Sequence, residues 1–200
     1  MPEIVTSLPL LGLWAVLGYL LGSVPFGVLI SQAMGLGDLR NIGSGNIGAT
    51  NVLRTGNKAA AAGTLVLDGG KGAAAVLIAR AFAGEDAVQL AGLAAFLGHC
   101  FPIWLSFRGG KGVATFLGLL IALAWPVGLA ACATWLGAAA LVRMSSAAAL
   151  FAAALSVIWA FLFAPSVALL CALLAALVFW RHKDNIARII AGTEPLIGKK

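Results

Sequence analysis

The sequence predicts an all-α integral membrane protein of about seven transmembrane helices. Three observations support this class: 62% of the 200 residues are apolar, only 10% are charged, and the apolar residues fall into long stretches. Soluble domains have about 45–50% apolar and about 25% charged residues. A soluble enzyme, a disordered chain and a nucleic-acid-binding domain are therefore excluded, and a lipid bilayer is the remaining solvent.

Seven apolar segments are separated by short clusters of glycine, proline and charged residues. They are residues 8–34, 59–82, 87–105, 113–124, 127–142, 147–163 and 166–180. The first is longer than the roughly 20 residues that a bilayer requires, and Pro9 and Pro25 within it predict a tilted or kinked helix. Residues 113–142 could form two short helices or one long tilted helix.

The second apolar segment is interrupted by residues 68–72 (DGGKG), which leaves the half-length pieces 59–67 and 73–82. Broken helices at membrane depth persist where protein buries them or where they line a wet cavity, and their N-termini offer N–H groups to anions. The sequence therefore predicts short broken or re-entrant helices near an active site. Because Gly-Gly-Lys-Gly recurs at 109–112, the copy at 69–72 is either a second anion site or another helix start.

The basic residues predict the orientation, because cytoplasmic loops collect Lys and Arg. With the N-terminus outside and seven crossings, only Arg80 of the 13 basic residues falls outside, beside Glu85 as a surface partner. The inner face then holds positions 40, 54, 58, 71, 108, 111, 143, 181, 183, 188, 199 and 200. No basic residue precedes Arg40, so we expect the first segment to remain as a span rather than a cleaved signal peptide. The C-terminus is predicted to be cytoplasmic.

The net charge of +6 does not indicate a nucleic acid partner, because the cytoplasmic loops of membrane proteins are rich in Lys and Arg. Phosphate-bearing substrates or anionic lipids are the expected partners. Cys100, Cys132 and Cys171 lie in apolar surroundings and are predicted to be small buried side chains. Because His99 and His182 are the only histidines and show no zinc-ligand spacing, no metal and no cofactor are expected.

The first polar cluster covers residues 40–54 (RNIGSGNIGATNVLR). Its glycines allow the backbone to approach a ligand, and successive N–H groups in such a loop bind anions. Arg54 can hold a phosphate through two parallel hydrogen bonds. The other candidate residues are Gly43, Ser44, Gly45, Asn46, Thr50 and Asn51. The alternative is a flexible cytoplasmic loop.

The second polar cluster joins residues 98–102 (GHCFP) to residues 108–115 (RGGKGVAT). Its glycines lead directly into an apolar helix, whose N-terminus can bind phosphate, and Lys111 supplies a full charge. It is not an ATP-binding Walker loop, because Leu105 stands where a glycine is required and Gly112 where Ser or Thr is required. The candidate residues are His99, Gly109, Gly110, Lys111, Gly112 and Thr115.

The third polar cluster covers residues 181–188 (RHKDNIAR) and is followed by Gly192 and Glu194. His182 and Asn185 are three residues apart, as are Asn185 and Arg188, so on a helix they share one face. The alternative is a basic flank whose side chains extend to the lipid headgroups.

Together these clusters closely resemble the bacterial acyl-phosphate:glycerol-3-phosphate acyltransferase family, integral inner-membrane enzymes of phospholipid synthesis. Residues 22–27 (GSVPFG) also match, and the motifs follow the family's order over nearly the whole chain. The resemblance implies one transmembrane domain over residues 1–200, with seven helices and a cytoplasmic active site. It also implies acyl transfer from acyl phosphate to the 1-hydroxyl of sn-glycerol 3-phosphate, which gives 1-acylglycerol 3-phosphate (lysophosphatidic acid) and inorganic phosphate.

The resemblance also implies roles for individual residues. The implied catalytic residues are Ser44, Arg54, Lys111, His182 and Asn185. The implied substrate-binding residues are Gly43, Gly45, Asn46, Thr50, Asn51, His99, Gly109, Gly110, Gly112, Thr115, Ser146 and Arg188. Glu194 matches a position that looks structural. In the family's Arg-x-x-Ser-x-x-Ser loop, Arg143 and Ser146 match, but Ala149 replaces the second serine.

The chemistry suits these residues, because two phosphates must meet and positive charge offsets their repulsion. The hydroxyl proton could pass to the donor's own phosphate, which we favour, or to His182. Neither acyl-CoA nor acyl-carrier protein is expected to donate directly, because the inner loops are short. A transporter of phosphorylated metabolites and a noncatalytic assembly factor are the alternative functions.

Overall fold

The structure is a computed structural model that describes residues 2–198, and helices are the only regular elements in that range. The α-helices are α1 Leu8–Ser23, α2 Phe26–Ala33, α3 Ala49–Leu53, α4 Lys58–Phe82, α5 Glu85–Cys100, α6 Val113–Leu123, α7 Trp125–Val142, α8 Ser145–Phe163, α9 Ala168–Arg181 and α10 Lys183–Ile190. The predicted all-α class is confirmed.

Five segments of the described chain are long and apolar enough to cross a membrane. They are Leu8–Ala33, Lys58–Phe82, Glu85–Leu105, Trp125–Val142 and Ser145–Phe163. A sixth is obtained if Pro165–Arg181 and Lys183–Ile190, which are bent by 63°, form one span. The 11 residues of α6 extend only about 16 Å, less than the hydrocarbon thickness of about 30 Å. The count of seven crossings and the orientation stay predictions.

The first apolar segment breaks where its proline predicts. Helix α1 ends at Ser23, Val24 is extended, and α2 begins after Pro25. Proline has no N–H to donate and disfavours helical backbone in the residue before it. The predicted kink is confirmed.

The prediction that residues 68–72 break the second apolar segment is wrong, because α4 is continuous. Each glycine costs a helix about 1 kcal/mol relative to alanine, but here glycine allows α6 to pack closely. A Cβ on Gly72 would overlap the backbone oxygen of Thr115, and a Cβ on Gly118 would overlap that of Gly69. Lys71 is therefore a buried residue within α4, not an inner-face loop residue, and 69–72 is neither a helix start nor a broken-helix anion site.

The region 113–142 forms two helices rather than one. Helix α6 ends at Leu123, Ala124 is extended, and Pro126 lies in the first turn of α7. The predicted Arg80–Glu85 pair is present, with Nε and Oε1 3.2 Å apart. The same guanidinium donates to the carbonyl oxygens of Ala122 and Leu123, so it also caps the end of α6.

The chain divides into two compact units, Glu3–Leu123 and the part from Ala124 onward. In the first unit α1 lies along α5, and α4 contacts both α5 and α6. Gly18 and Gly22 of α1 allow this contact, because a Cβ on either would overlap a backbone oxygen of α5. In the second unit α8 contacts both α7 and α9.

The three cysteines all lie within the described residues, and none of them forms a disulfide. Cys100 and Cys171 are buried as predicted. The prediction is wrong for Cys132, which is half-buried because only Val127, Gly128 and Ala131 of α7 are buried.

Candidate active site

The first polar cluster is built around the side chain of Asn51, which is only 1% exposed. Its Nδ2 donates to the carbonyl oxygen of Leu39 at 2.9 Å. Its Oδ1 accepts from the Ser44 backbone N–H at 3.1 Å and from the Ser44 Oγ at 3.4 Å. The Nη1 of Arg54 donates to the same oxygen at 3.4 Å. One buried amide therefore holds two predicted catalytic residues in one loop.

This loop presents polar groups on an apolar base. Ser44, Thr50 and Arg54 are exposed, and Asn46 is half-buried. The buried base consists of Leu39, Ile47, Val52, Ala60 and Ala61. Gly43 has a φ of 52°, and a Cβ there would collide with the side chains of Arg54 and Asn51. The structured loop supports the binding interpretation over the flexible-loop alternative.

The second cluster lies beside the first. Leu105, in the connection between α5 and the glycine turn of residues 109–112, packs against the apolar base. The neighbouring Trp104 donates from Nε1 to the Ser23 Oγ at 2.8 Å, which ties the same connection to the end of α1. The first and second clusters are thus held in one neighbourhood of the first unit.

Residues 109–112 form a turn that is anchored on the last residues of α5. The Gly109 N–H donates to the Cys100 carbonyl and the Gly110 N–H to the His99 carbonyl, both at 3.1 Å. A Cβ on Gly110 would overlap the His99 imidazole, so the turn lies directly against this ring. Helix α6 begins immediately after Gly112, as predicted, and Lys111 is half-buried.

A buried ion pair that the sequence motifs do not predict as part of the site lies under this turn. The Lys71 Nζ is 2.8 Å from the Asp68 Oδ1, and the side chains are only 2% and 3% exposed. The His99 Nδ1 is 3.7 Å from the same oxygen. Opposite charges three residues apart within an apolar segment were the available signal, because charges inside a membrane are costly unless paired.

Thr115 is fully buried, and its Oγ1 donates to the Asp68 carbonyl oxygen at 2.9 Å. Its hydroxyl proton therefore joins α6 to α4. Gly45, with a φ of 67°, lies in the first loop beside Asn46. The predicted substrate-binding roles of these residues stay predictions.

In the second unit, Glu194 gathers three predicted site residues. Its Oε1 accepts from the Ser146 Oγ and the Asn185 Nδ2, both at 2.6 Å. Its Oε2 accepts from the Arg188 Nε at 2.8 Å. Asn185 and Arg188 thus share one face of α10, and a purely lipid-facing basic flank would not direct both to a carboxylate.

His182 lies at the junction of α9 and α10 and is buried. Its Nδ1 is 2.8 Å from the Val178 carbonyl oxygen. Because a carbonyl oxygen only accepts, this contact places the ring proton on Nδ1.

The Glu194 carboxylate is ionised in this setting. Burial acts to raise the pKa of Glu194, but the hydrogen bonds from Ser146, Asn185 and Arg188 and the Arg188 charge outweigh it. The net pKa lies below the ordinary value of 4.5. The carboxylate therefore remains an acceptor for all three donors at neutral pH.

The fold and these clusters define an integral membrane protein whose cationic, glycine-rich loops suit a phosphate-bearing ligand. The family model described as glycerol-3-phosphate acyltransferase matches residues 12–192. A glycerol-3-phosphate acyltransferase of Ruegeria sp. (strain TM1040) is 69% identical over 201 aligned positions, covering 100% of both chains. One from Jannaschia sp. (strain CCS1) is 68% identical, covering 99% of this chain and 98% of that one.

Two crystal structures of PlsY (YgiH), an integral membrane glycerol 3-phosphate acyltransferase, share the fold. Its glycerol 3-phosphate form matches with a TM-score of 0.88 and 37% identity, over 94% of this chain and 96% of that one. Its lysophosphatidic acid form matches with a TM-score of 0.86 and 35% identity, over 94% and 95% of the two chains. The chain belongs to the glycerol-3-phosphate acyltransferase family, which confirms the resemblance that its motifs indicate.

Proposed function

We propose that this chain transfers a fatty acyl group from acyl phosphate to the 1-hydroxyl of sn-glycerol 3-phosphate. The products are lysophosphatidic acid and inorganic phosphate, formed at the cytoplasmic face of a bacterial inner membrane. The observation that carries the proposal is the pair of cationic loops, with Arg54 and Lys111, that Leu105 and the apolar base hold together. The PlsY structures in glycerol 3-phosphate and lysophosphatidic acid forms support the acceptor and the product.

Both substrates carry a phosphate, so the site has to bring two anions close to each other. The Arg54 side chain is exposed, and its Nη1 donates to Asn51, which fixes the position of the guanidinium. The other N–H groups in the plane of the guanidinium can then donate to a phosphate. Lys111 adds a second charge at the start of α6, where backbone N–H groups favour anions. We therefore assign one phosphate to each loop.

The reaction itself demands alignment more than strong acid–base catalysis. The acceptor's hydroxyl oxygen attacks the acyl carbonyl carbon, the bond from that carbon to the phosphate oxygen breaks, and an ester forms. Acyl phosphate is a mixed anhydride whose phosphate leaves readily, so no covalent acyl-enzyme is required. The protein supplies orientation and stabilises the charge that develops on the carbonyl oxygen.

The hydroxyl proton has two candidate acceptors. We favour an oxygen of the donor phosphate, because it becomes inorganic phosphate and can carry the proton away. His182 is the alternative, since a proton on Nδ1 makes Nε2 the basic ring nitrogen. The catalytic set that the motifs predict, Ser44, Arg54, Lys111, His182 and Asn185, is assigned to this reaction.

The experiment is a donor comparison with purified protein in detergent or lipid. Glycerol 3-phosphate is offered with acyl phosphate, acyl-CoA or acyl-carrier protein, without added divalent metal. We expect lysophosphatidic acid only with acyl phosphate, and an Arg54→Ala preparation shows any contaminating activity. Robust transfer from acyl-CoA would refute the donor, and phosphate-coupled uptake into vesicles without acylated product would refute the enzyme.

A further inference from the structure

Beneath the glycine turn, three ionisable side chains share one buried site in the first unit. Asp68 and Lys71 of α4 form an ion pair of 2.8 Å, and the ring of His99 in α5 reaches within 3.7 Å of the same carboxylate oxygen. Burying such a pair takes two charges out of water, so it is weak evidence for stability on its own. The role of this ion pair therefore depends on the segments that its members contact.

On one side, Lys71 holds the break between α1 and α2. Its Nζ donates to the Val24 carbonyl oxygen at 2.7 Å and lies 5.7 Å from the centroid of the Phe26 ring. Val24 and Phe26 flank Pro25, where the helical hydrogen bonds are interrupted. The ammonium group therefore binds a carbonyl oxygen at the break, and its own position is fixed by Asp68.

On the other side, His99 supports the turn that carries Lys111. Its carbonyl oxygen accepts from the Gly110 N–H, and its imidazole fills the space that a Cβ on Gly110 would need. The Asp68 carbonyl oxygen also accepts from Thr115, in the first turn of α6. Asp68 thus contacts residues on both sides of the 109–112 turn.

We propose that Asp68 is a positioning residue for acyl transfer: through Lys71 and His99 it fixes the 109–112 turn, and with it Lys111, relative to the α1–α2 break. The inference rests on the proposed function in one respect, since it takes 109–112 as a phosphate-binding turn. Asp68 touches no reacting atom. Asp68 affects the positions of the protein groups that bind phosphate.

The test begins with Asp68→Asn, which keeps the size of the side chain but removes its charge. A small displacement of a catalytic group lowers activity strongly, so we expect kcat/KM to fall on the order of a hundredfold. We also expect weaker binding of glycerol 3-phosphate or inorganic phosphate, measured by calorimetry on purified protein. Wild-type affinity for glycerol 3-phosphate and for inorganic phosphate would overturn the proposal.

A second variant guards against simple misfolding. Asp68→Asn combined with Lys71→Met leaves no unpaired buried charge, so the protein should fold. If Asp68 positions the turn, this variant recovers its thermal stability but keeps a low kcat/KM. Recovery of both would show a merely structural ion pair and would overturn the proposal.

Asp86 provides a matched control, because its carboxylate also accepts hydrogen bonds within the first unit. Its Oδ2 accepts from the backbone N–H groups of Val5 and Thr6 at 2.9 and 2.7 Å. Asp86→Asn should lower stability without changing kcat/KM. The binding measurement needs no acyl donor. If the wild-type protein does not transfer an acyl group from acyl phosphate, only the proposed donor is refuted. Unchanged phosphate binding in Asp68→Asn would refute the positioning role.

Discussion

The side-chain amide of Asn51 donates to the Leu39 carbonyl and accepts from Ser44 and Arg54. Neither Asp nor Leu can replace a group that donates and accepts at once. Lys111 depends in the same way on the contacts that anchor the glycine turn to α5. At the residue scale, hydrogen bonds to buried residues therefore determine where the charges of Arg54 and Lys111 lie.

We expect Arg54→Ala and Lys111→Ala each to cost about 2–4 kcal/mol of transition-state stabilisation, because each removes one positioned positive charge. Folding should survive, since neither side chain is fully buried. The measurement is kcat/KM of purified protein, with thermal unfolding in parallel. Lys58→Ala, which removes an exposed charge at the start of α4, is the control. Full activity in a folded Lys111→Ala protein would remove Lys111 from the mechanism.

Glu194 gives a pH dependence to stability. Its pKa is lower in the folded chain than in the unfolded chain, so its contribution is complete above the ordinary value of 4.5 and is lost as pH falls through the lowered value. Wild-type protein should therefore unfold at a higher temperature than Glu194→Gln at pH 7. We expect the difference to shrink in acid below pH 4.5. A difference that stays constant across this range would show that the ionised Glu194 carboxylate does not stabilise the fold.

At the scale of elements, two copies of Gly-Gly-Lys-Gly have different structures. Residues 109–112 form a turn, whereas residues 69–72 lie inside the continuous helix α4. In residues 69–72, the absence of glycine side chains allows α6 to approach α4 closely. Helix–helix packing thus outweighs the low helix propensity of glycine.

Two glycines of α4 allow this to be tested within one helix. A Cβ on Gly72 would overlap the Thr115 backbone oxygen, whereas a Cβ on Gly70 meets nothing within 4 Å. We expect Gly72→Ala to lower the unfolding temperature and the activity, since α6 has to move. Gly70→Ala should leave both unchanged or raise the unfolding temperature slightly. Equal effects of the two substitutions would mean that the α4–α6 contact is not close.

Much of the fold could be predicted from the sequence, because the bilayer requires long apolar segments and each predicted segment contains a helix in the structure. The break at Pro25 and the glycine turn before α6 follow from local chemistry. Contacts between distant residues gave no local signal. Ser146 meets Glu194 across 48 positions, and Asp68 meets His99 from another helix. The candidate site was therefore predicted as a set of residues but not as a network.

At the scale of the whole molecule, the orientation depends on the basic residues. Lys71 is buried within α4, so eleven of the twelve predicted inner-face positions remain. Two of these eleven, Lys199 and Lys200, lie outside the described residues. The remaining positions still favour a cytoplasmic C-terminus. One misplaced lysine does not alter the predicted orientation.

Cysteine labelling in intact cells tests this orientation. Cysteines at Gly84 and Pro165 should react with an impermeant reagent from outside, whereas cysteines at Lys58 and Lys183 should react only after the membrane is opened. Cys132 is replaced by alanine first, since it is half-buried and could react. Labelling of the Lys58 position from outside would overturn the orientation and place the candidate site on the opposite face.

The most direct measurement follows the two parts of the donor through one reaction. Purified protein receives glycerol 3-phosphate and an acyl phosphate that carries radioactive carbon in its chain and radioactive phosphorus in its phosphate. Because the proposed reaction breaks the bond between the acyl carbon and the phosphate oxygen, we expect the carbon label in lysophosphatidic acid. The phosphorus label should appear in an equal amount of inorganic phosphate. Phosphorus label in the lipid, or no carbon label in lysophosphatidic acid, would contradict acyl transfer from acyl phosphate.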